Sequence, residues 1–385
     1  MPYINFLLDT CRIRVISFHE TKSKNGQINE TSMRILHVIS TLQMGGAEHL
    51  MVDLLPALRD LGNEVELLLI DGTKTAFYEE LESLGIKISY LKCGGRIYSH
   101  TNIFRMAKAI QGYDIVHTHT FPCQLFAALS HNKKSKLITT EHSTTNHRRN
   151  KWWLKFLDRW MYKRFERIIC ISDKSKENLV NHLDKERGVV VINNGVNIKK
   201  FERTIKRRLS SPVIITMVAS MRDAKDQDTV IKAMQYLGSN YRLHLVGDGP
   251  RREYLENLSK ELDCTNNVVF FGNQSDIPSI LESSDIVVLS SHWEGLSLSS
   301  IEGMASGRPF IASDVPGLGE LVRNHGIVFP EGDYNQLAKC IEKLCRDNNY
   351  YYDIAKRCQE SVLKYDVTIM AQKYYQLYKE ILQYD

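Results

Sequence analysis

This chain of 385 residues predicts an α/β protein with two Rossmann-like, doubly wound parallel-sheet domains facing each other across a cleft. Three observations carry that expectation. From Met33 onward, short apolar runs alternate with helical patterns, and such alternation means a parallel sheet covered by helices. The chain is longer than one hydrophobic core usually holds. The run Asp285-Ile286-Val287-Val288-Leu289 is continuously apolar and β-branched, the mark of a strand buried on both faces.

Residues 1–32 stand apart as an extra, poorly ordered arm, because Met33-Arg34-Ile35-Leu36-His37-Val38-Ile39 looks like a natural beginning. Residues 33–197 form the expected first domain. Its strands are read at 34–40, 65–70, 87–90, 114–117, 136–140 and 167–171, and Val189-Val190 leads toward Asn194-Gly195-Val196. A glycine pair, Gly45-Gly46, follows the first strand and would let a backbone approach a ligand closely. Residues 198–211 are polar and basic and read as a linker. The second domain, 212–362, repeats the alternation: strand 213–219, helix 227–237, strand 242–246 before Gly247-Asp248-Gly249-Pro250, helix 251–262, strand 268–271 before Gly272-Asn273, and helix 276–283. Strands 310–312 and 327–329 follow the central one. Residues 363–385 are expected to form a Tyr-rich helix that packs back on the first domain.

The composition, 43% apolar and 25% charged, is that of a soluble globular chain. Eight cysteines without a CxxC pair argue for a reducing compartment and against structural zinc. No run approaches the ~20 apolar residues of a spanning helix, and the start lacks a signal-peptide pattern, so a cytoplasmic protein is expected. Residues 133–167 hold eleven Lys/Arg against three acids, a local charge of +8. No nucleic-acid-binding signature accompanies it. Within that stretch Trp153, Phe156, Leu157, Trp160 and Met161 share one helical face and Lys155, Arg159 and Lys163 the opposite one. Packing on the sheet with a solvated basic back is the favoured reading. An interfacial helix, with Trp152, Lys151, Lys155 and Arg159 toward an anionic membrane or an acceptor, is the other.

Two stretches bear chemistry. His117 and His119 lie two residues apart at a strand end, and His142 ends the next strand; a polar lining is favoured over a metal site. After Leu289, Ser291-His292-Trp293-Glu294-Gly295-Leu296-Ser297 turns from the central strand into a helix containing Glu302. Open parallel sheets bind ligands at this end of their strands, and amides opening a helix attract phosphate. Glu294 on the loop, the amides of Gly295, Leu296 and Ser297, and Glu302 in the first helical turn would suit a sugar, a diphosphate and a ribose. Ser299-Ser300-Ile301-Glu302 also spells a capping box, in which Glu302 would only serve its own helix.

Taken together, Gly45-Gly46-Ala47-Glu48, Asp114-Ile115-Val116-His117, Asn194-Gly195-Val196, Val246-Gly247-Asp248-Gly249-Pro250 and Glu294-x7-Glu302 with Gly303-Met304-Ala305-Ser306-Gly307-Arg308-Pro309 resemble the family-four retaining glycosyltransferases of the GT-B fold. The resemblance runs from Met33 nearly to the C-terminus. It implies that Glu294 touches the donor sugar, Glu302 holds the ribose and Lys225 faces the diphosphate. It implies likewise that Gly46 and Gly247 line the donor site, that His142 faces the reacting sugar and that Asn273 meets the base. The family often carries Arg where Ser220 stands; either Arg222, two residues on, shares its strand face and replaces that charge, or the diphosphate grip rests on Lys225 alone. The donor implied is a nucleotide sugar, UDP favoured over GDP, with no cofactor and no divalent metal. The acceptor implied is a glycan or lipid-linked glycan of bacterial surface polysaccharide synthesis, at the inner face of the membrane. Asp226-Gln227-Asp228 spells a metal-binding DxD but is read as helix-opening charge. The alternatives are a UDP-sugar 2-epimerase on the same fold and a non-catalytic homologue that binds or scaffolds.

Overall fold

Buried β-branched strands, each followed by an amphipathic helix, generate the architecture. The computed structural model describes residues 32–383 except 44, 131–133, 144–153, 185, 187 and 207. The first half runs β1 (Arg34–Ile39), α1 (Gly46–Asp60), β2 (Glu64–Leu69), α2 (Ala76–Ser83), β3 (Lys87–Tyr90), α3 (Asn102–Ala109), β4 (Ile115–Thr118), α4 (Phe121–Ser130), β5 (Lys136–Glu141), α5 (Leu154–Tyr162), β6 (Arg167–Cys170), α6 (Asp173–Leu183) and β7 (Val189–Val191). Its seven strands are all parallel, in the order β3-β2-β1-β4-β5-β6-β7.

After the short α7 (Ile198–Phe201) comes the second half. It comprises β8 (Val213–Val218), α8 (Gln227–Leu237), β9 (Tyr241–Val246), α9 (Arg252–Glu261), β10 (Val268–Gly272), α10 (Ile277–Ser283), β11 (Ile286–Leu289), α11 (Leu298–Ala305), β12 (Phe310–Ser313), α12 (Leu318–Val322), β13 (Ile327–Phe329), α13 (Tyr334–Arg346), α14 (Asn348–Val362) and α15 (Val367–Gln383). Six parallel strands run β10-β9-β8-β11-β12-β13. The order reverses between β1 and β4 in one sheet and between β8 and β11 in the other, which marks where ligands enter such sheets.

The last helix crosses back. Val367, Met370, Tyr374, Tyr378 and Ile381 of α15 share an apolar cluster with Ile35 and Leu67 of the first sheet and Leu54 of α1. The crossing explains Gly195: a side chain there would fall 2.9 Å from Val367 Cα. The basic segment joining the halves is pinned. Lys200 pairs with Asp53 and Glu80 at 3.0 Å each, Arg203 with Glu282 at 2.9 Å, and Lys206 with the buried Asp285 at 2.9 Å. Arg308, also buried, donates to the carbonyls of Thr204, Glu282 and Ser284. Part of the Ser306-Gly307-Arg308 motif is thus a fastening for this segment.

Three expectations are corrected. Helix α5 does not bury its aromatic stripe: Phe156 and Trp160 are exposed, while Asp158, Met161 and Tyr162 face inward. Polar partners turn the helix, because Asp158 meets His182 at 3.0 Å and Tyr162 donates to buried Glu141. Nor is its basic side simply solvated, since Lys155 and Arg159 both pair with Asp184; Lys151, Trp152 and Trp153 lie outside the described residues, as does the 1–31 arm. Helix α11 begins at Leu298 with Ser297 as its N-cap and no side-chain cap bond. Glu302 is therefore its fifth residue, past the first turn and out of reach of any capping box.

Gly303 sets the height of α11 over the sheet, for a Cβ there would lie 2.7 Å from the Phe310 ring and 2.9 Å from Val287. Gly303→Val should therefore cost about 1–3 kcal/mol by overpacking. Its thermal midpoint should fall and its nucleotide affinity with it, read by calorimetry on the same samples.

Candidate active site at the carboxyl ends of the strands

Three loops of the second sheet converge beyond β8 and β11. A 3-10 turn, Asp223–Lys225, follows β8, and the His292 amide donates to Ala224 O at 2.9 Å, tying the β11–α11 loop to it. That tie brings Lys225 Nζ onto Glu294 Oε1, the oxygen that also accepts from Ser291 Oγ at 2.7 Å. Acid and base neutralise each other here until something separates them. Among the described residues, no acceptor faces the amides of Gly295, Leu296 and Ser297. Gly247, at φ 124°, lies against the Ala219 carbonyl so closely that no side chain fits. Asn273 is exposed just past Gly272. The strand β8 ends at Val218, so the alternation that would put Arg222 on the face of Ser220 does not extend to it; Arg222 is exposed at the start of the turn.

Glu302 has the least ordinary environment. It is 3% exposed, and its Oε1 has no hydrogen-bond partner among the described residues. His49 Nδ1, from the opposite domain, stands 3.4 Å away, near enough for charge attraction without a hydrogen bond. Burial pushes the Glu302 carboxyl above its ordinary range, although His49 pulls the other way. His49 is steadied by the Phe77 ring, 5.5 Å away and nearly parallel. Sequence reading missed His49; the signal was its place three residues after Gly46, on the first turn of α1. Gly46 itself is exposed, and a Cβ there would touch nothing.

On the first sheet, the three histidines noted in the sequence are joined by a fourth, His37 of β1. His37 Nδ1 meets His119 Nε2 at 2.8 Å, and His119 Nδ1 meets His142 Nε2 at 3.0 Å. His117 is engaged at both nitrogens, by Tyr378 at 2.6 Å and Thr140 at 2.8 Å. Burial, the largest cause throughout, lowers His37 to about 3 and His142 to about 4, and holds His117 and His119 well below the usual value. Ligand atoms of His37, His117 and His119 lie within 4.8 Å of one another. These nitrogens are already spent on one another and on hydroxyls, all but His37 Nε2, so the cluster works as a hydrogen-bonded lining. The DxD carboxylates are engaged too: Asp226 caps α8, accepting from Thr229, and Asp228 pairs with Arg251 at 2.8 Å.

Comparisons with known proteins agree with this layout. Residues 182–361 match the family described as Glycosyl transferases group 1, and residues 44–200 match Glycosyltransferase Family 4. The UDP-Gal:alpha-D-GlcNAc-diphosphoundecaprenol alpha-1,3-galactosyltransferase of Escherichia coli is 26% identical over 318 residues, 76% of this chain and 80% of that protein. The N,N'-diacetylbacillosaminyl-diphospho-undecaprenol alpha-1,3-N-acetylgalactosaminyltransferase of Campylobacter jejuni is 28% identical over 236 residues, 58% of this chain and 62% of that protein. Among solved structures, Anabaena Alr3699/HepE in complex with UDP-glucose superposes with a TM-score of 0.77 at 21% identity, covering 90% of this chain and all of that one. The two-domain GT-B fold is thereby shared.

The Glu302 carboxyl predicts a pair of opposite effects. Its pKa is raised on folding, so its charged form costs stability as pH rises through that value, and the cost is absent in acid. Glu302→Gln should raise the thermal midpoint at pH 7 and leave it unchanged near pH 4. The same variant should bind nucleoside diphosphate at least about tenfold more weakly, through loss of charge-assisted bonds. Glu294→Gln should keep nucleotide affinity and lose most sugar transfer. Thermal melts at the two pH values read the first outcome, and calorimetric titration beside a turnover assay reads the others; unchanged nucleotide binding by Glu302→Gln would remove the ribose assignment.

Proposed function

We propose that this chain, which belongs to the group 1 glycosyltransferases, moves a sugar from a UDP-sugar to a lipid-linked glycan with retention of anomeric configuration. The observation that carries the reading is Glu302: a buried carboxylate oxygen with no hydrogen-bond partner, on the helix opened by three free amides. A folded protein keeps such an oxygen at a cost of about 1–3 kcal/mol, and a pair of ribose hydroxyls would satisfy it. The diphosphate would then meet the amides of Gly295, Leu296 and Ser297. Lys225, freed from Glu294, would offset charge on the leaving phosphate, and Glu294 would turn to the sugar hydroxyls. Gly46, with open space where a side chain would stand, leaves room for the donor on the facing domain. The UDP preference draws on the Anabaena protein's complex with UDP-glucose. The lipid-linked acceptor draws on the activities named for the Escherichia coli and Campylobacter relatives, and with it a place in bacterial surface polysaccharide synthesis. Incubation with UDP-sugars and an undecaprenyl diphosphate-linked acceptor should release UDP only when both are present, and NMR of the product should find the donor's anomeric configuration kept. Release of UDP without acceptor dependence would sink the transfer reading; a sugar epimerised at C2 would assign the chain to the epimerases.

Positive charge at the diphosphate is supplied by Lys225 and helix-start amides on this reading, so donor turnover should be unchanged by EDTA. Activity abolished by chelation and restored by magnesium would overturn that.

For an acceptor held in a bilayer, the proposed docking face is the one formed by α3, α4 and α5, which pack side by side. Phe104 (77% exposed), Phe156 (66%) and Trp160 (37%) stand on it, with Arg164 4.2 Å over the Trp160 ring. Exposed aromatics among cations are what an anionic interface binds. Flotation with phosphatidylglycerol vesicles should be lost in Phe104→Ser/Phe156→Ser and should weaken with salt; equal flotation of variant and native protein would refute the assignment.

A further inference from the structure

We infer that His37 and His119 are positioning residues that fix His142 in its Nδ1–H tautomer, presenting an uncharged hydrogen-bond donor on the side away from the sheet. The geometry is a wire of three imidazoles. His37 and His119 have ring centroids 5.1 Å apart and planes 12° from parallel; with nitrogens at 2.8 Å, the rings lie edge to edge in nearly one plane, the alignment a strong N–H···N bond needs. His119 and His142 follow with centroids 5.2 Å apart and nitrogens 3.0 Å apart. His37 and His117 are fully buried, His119 is 2% exposed, and only His142 is half-buried at the strand end.

Proton bookkeeping leaves two arrangements. Each neutral imidazole carries one N–H, and each N···N contact needs one donor and one acceptor. If His119 carries its proton on Nε2, then His37 and His142 must do so as well. If His119 carries it on Nδ1, all three do. The first arrangement leaves His37 Nε2–H buried, and that nitrogen has no partner; orphaned buried N–H donors are the rarer of the two kinds of unsatisfied group. The second leaves only a bare lone pair there and directs His142 Nδ1–H outward. His117 does not compete, because Tyr378 and Thr140 occupy both its nitrogens, which also makes the C-terminal helix part of the support.

The chemical use follows from charge. Glycosyl transfer passes through an oxocarbenium-like, positively charged sugar. A cationic histidine beside it would oppose that charge, whereas a neutral N–H can bind a sugar hydroxyl without doing so. Its packing against the buried wire lowers the His142 pKa to about 4, so the imidazolium is disfavoured. This use rests on the proposed placement of His142 at the reacting sugar; the tautomer does not.

Full-length protein carrying 15N-histidine should be read by long-range 1H–15N correlation, with His142→Gln assigning the His142 signals. His142 should be neutral and Nδ1-protonated at pH 7 and remain neutral to about pH 5. His37→Leu should release it to a tautomer mixture and lower kcat by about tenfold, the worth of one neutral hydrogen bond, with donor KM nearly unchanged. His37→Asn, whose amide N–H can replace Nδ1–H, should restore both. An Nε2–H or cationic His142 in the native protein, or an unchanged His142 tautomer in His37→Leu, would overturn the inference. The native spectrum decides even where His37→Leu fails to fold. The expected tautomer in a protein that transfers no sugar would instead count against the proposed function alone.

Discussion

The close approach of α11 to its sheet is the constraint on which the site depends. Gly303 allows the helix to settle onto Phe310 and Val287, and the residue before it is carried down with the backbone. Glu302 then has little choice of surroundings. It is too deep for water, past the turn it could have capped, and faces His49 at 3.4 Å, with Asp53 and Lys200 also near enough to act on its charge. Ordinary packing would have placed an apolar side chain there. A carboxylate left in that position makes the unliganded protein less stable than it could be, a pattern typical of binding sites.

The same economy of partners appears across the second domain. Lys225 and Glu294, the cation and anion of the proposed transfer, are paired with each other. Other charges that resemble functional ones are committed elsewhere. Asp226 and Asp228 cap a helix and hold Arg251, and Arg308 is closed on backbone carbonyls. Separating spent groups from waiting ones tells the site apart from its scaffold more sharply than residue type does.

The first domain contributes a different material. Its strand ends carry imidazoles, hydroxyls and the two buried tyrosines of α15, knitted into a network that excludes cations. One face of the cleft thus carries a cation and open amides beside two carboxylates, the other a neutral polar lining. A nucleotide sugar has matching ends, a charged diphosphate and an uncharged ring.

Much of this was legible in the chain. Period-two and period-3.6 patterns are local, so the strands from Arg34 to Phe329 and their parallel alternation could be read within a residue or two. Glycine-bearing turns and the Glu294-x7-Glu302 spacing could be placed on their loops for the same reason. Contacts between distant segments were not legible. Nothing near His37 in sequence announces His119, and nothing near Glu302 announces His49. The orientation of α5 was misread because Asp158 and Tyr162 look like surface residues until His182 and Glu141 arrive as buried partners. The capping box at Ser299 was a valid local pattern that lost to packing, which began the helix two residues earlier. Sequence by itself determined which elements form, since they follow from backbone periodicity. Only tertiary structure decided which polar groups are satisfied, because a hydrogen bond's partner can lie two hundred residues away.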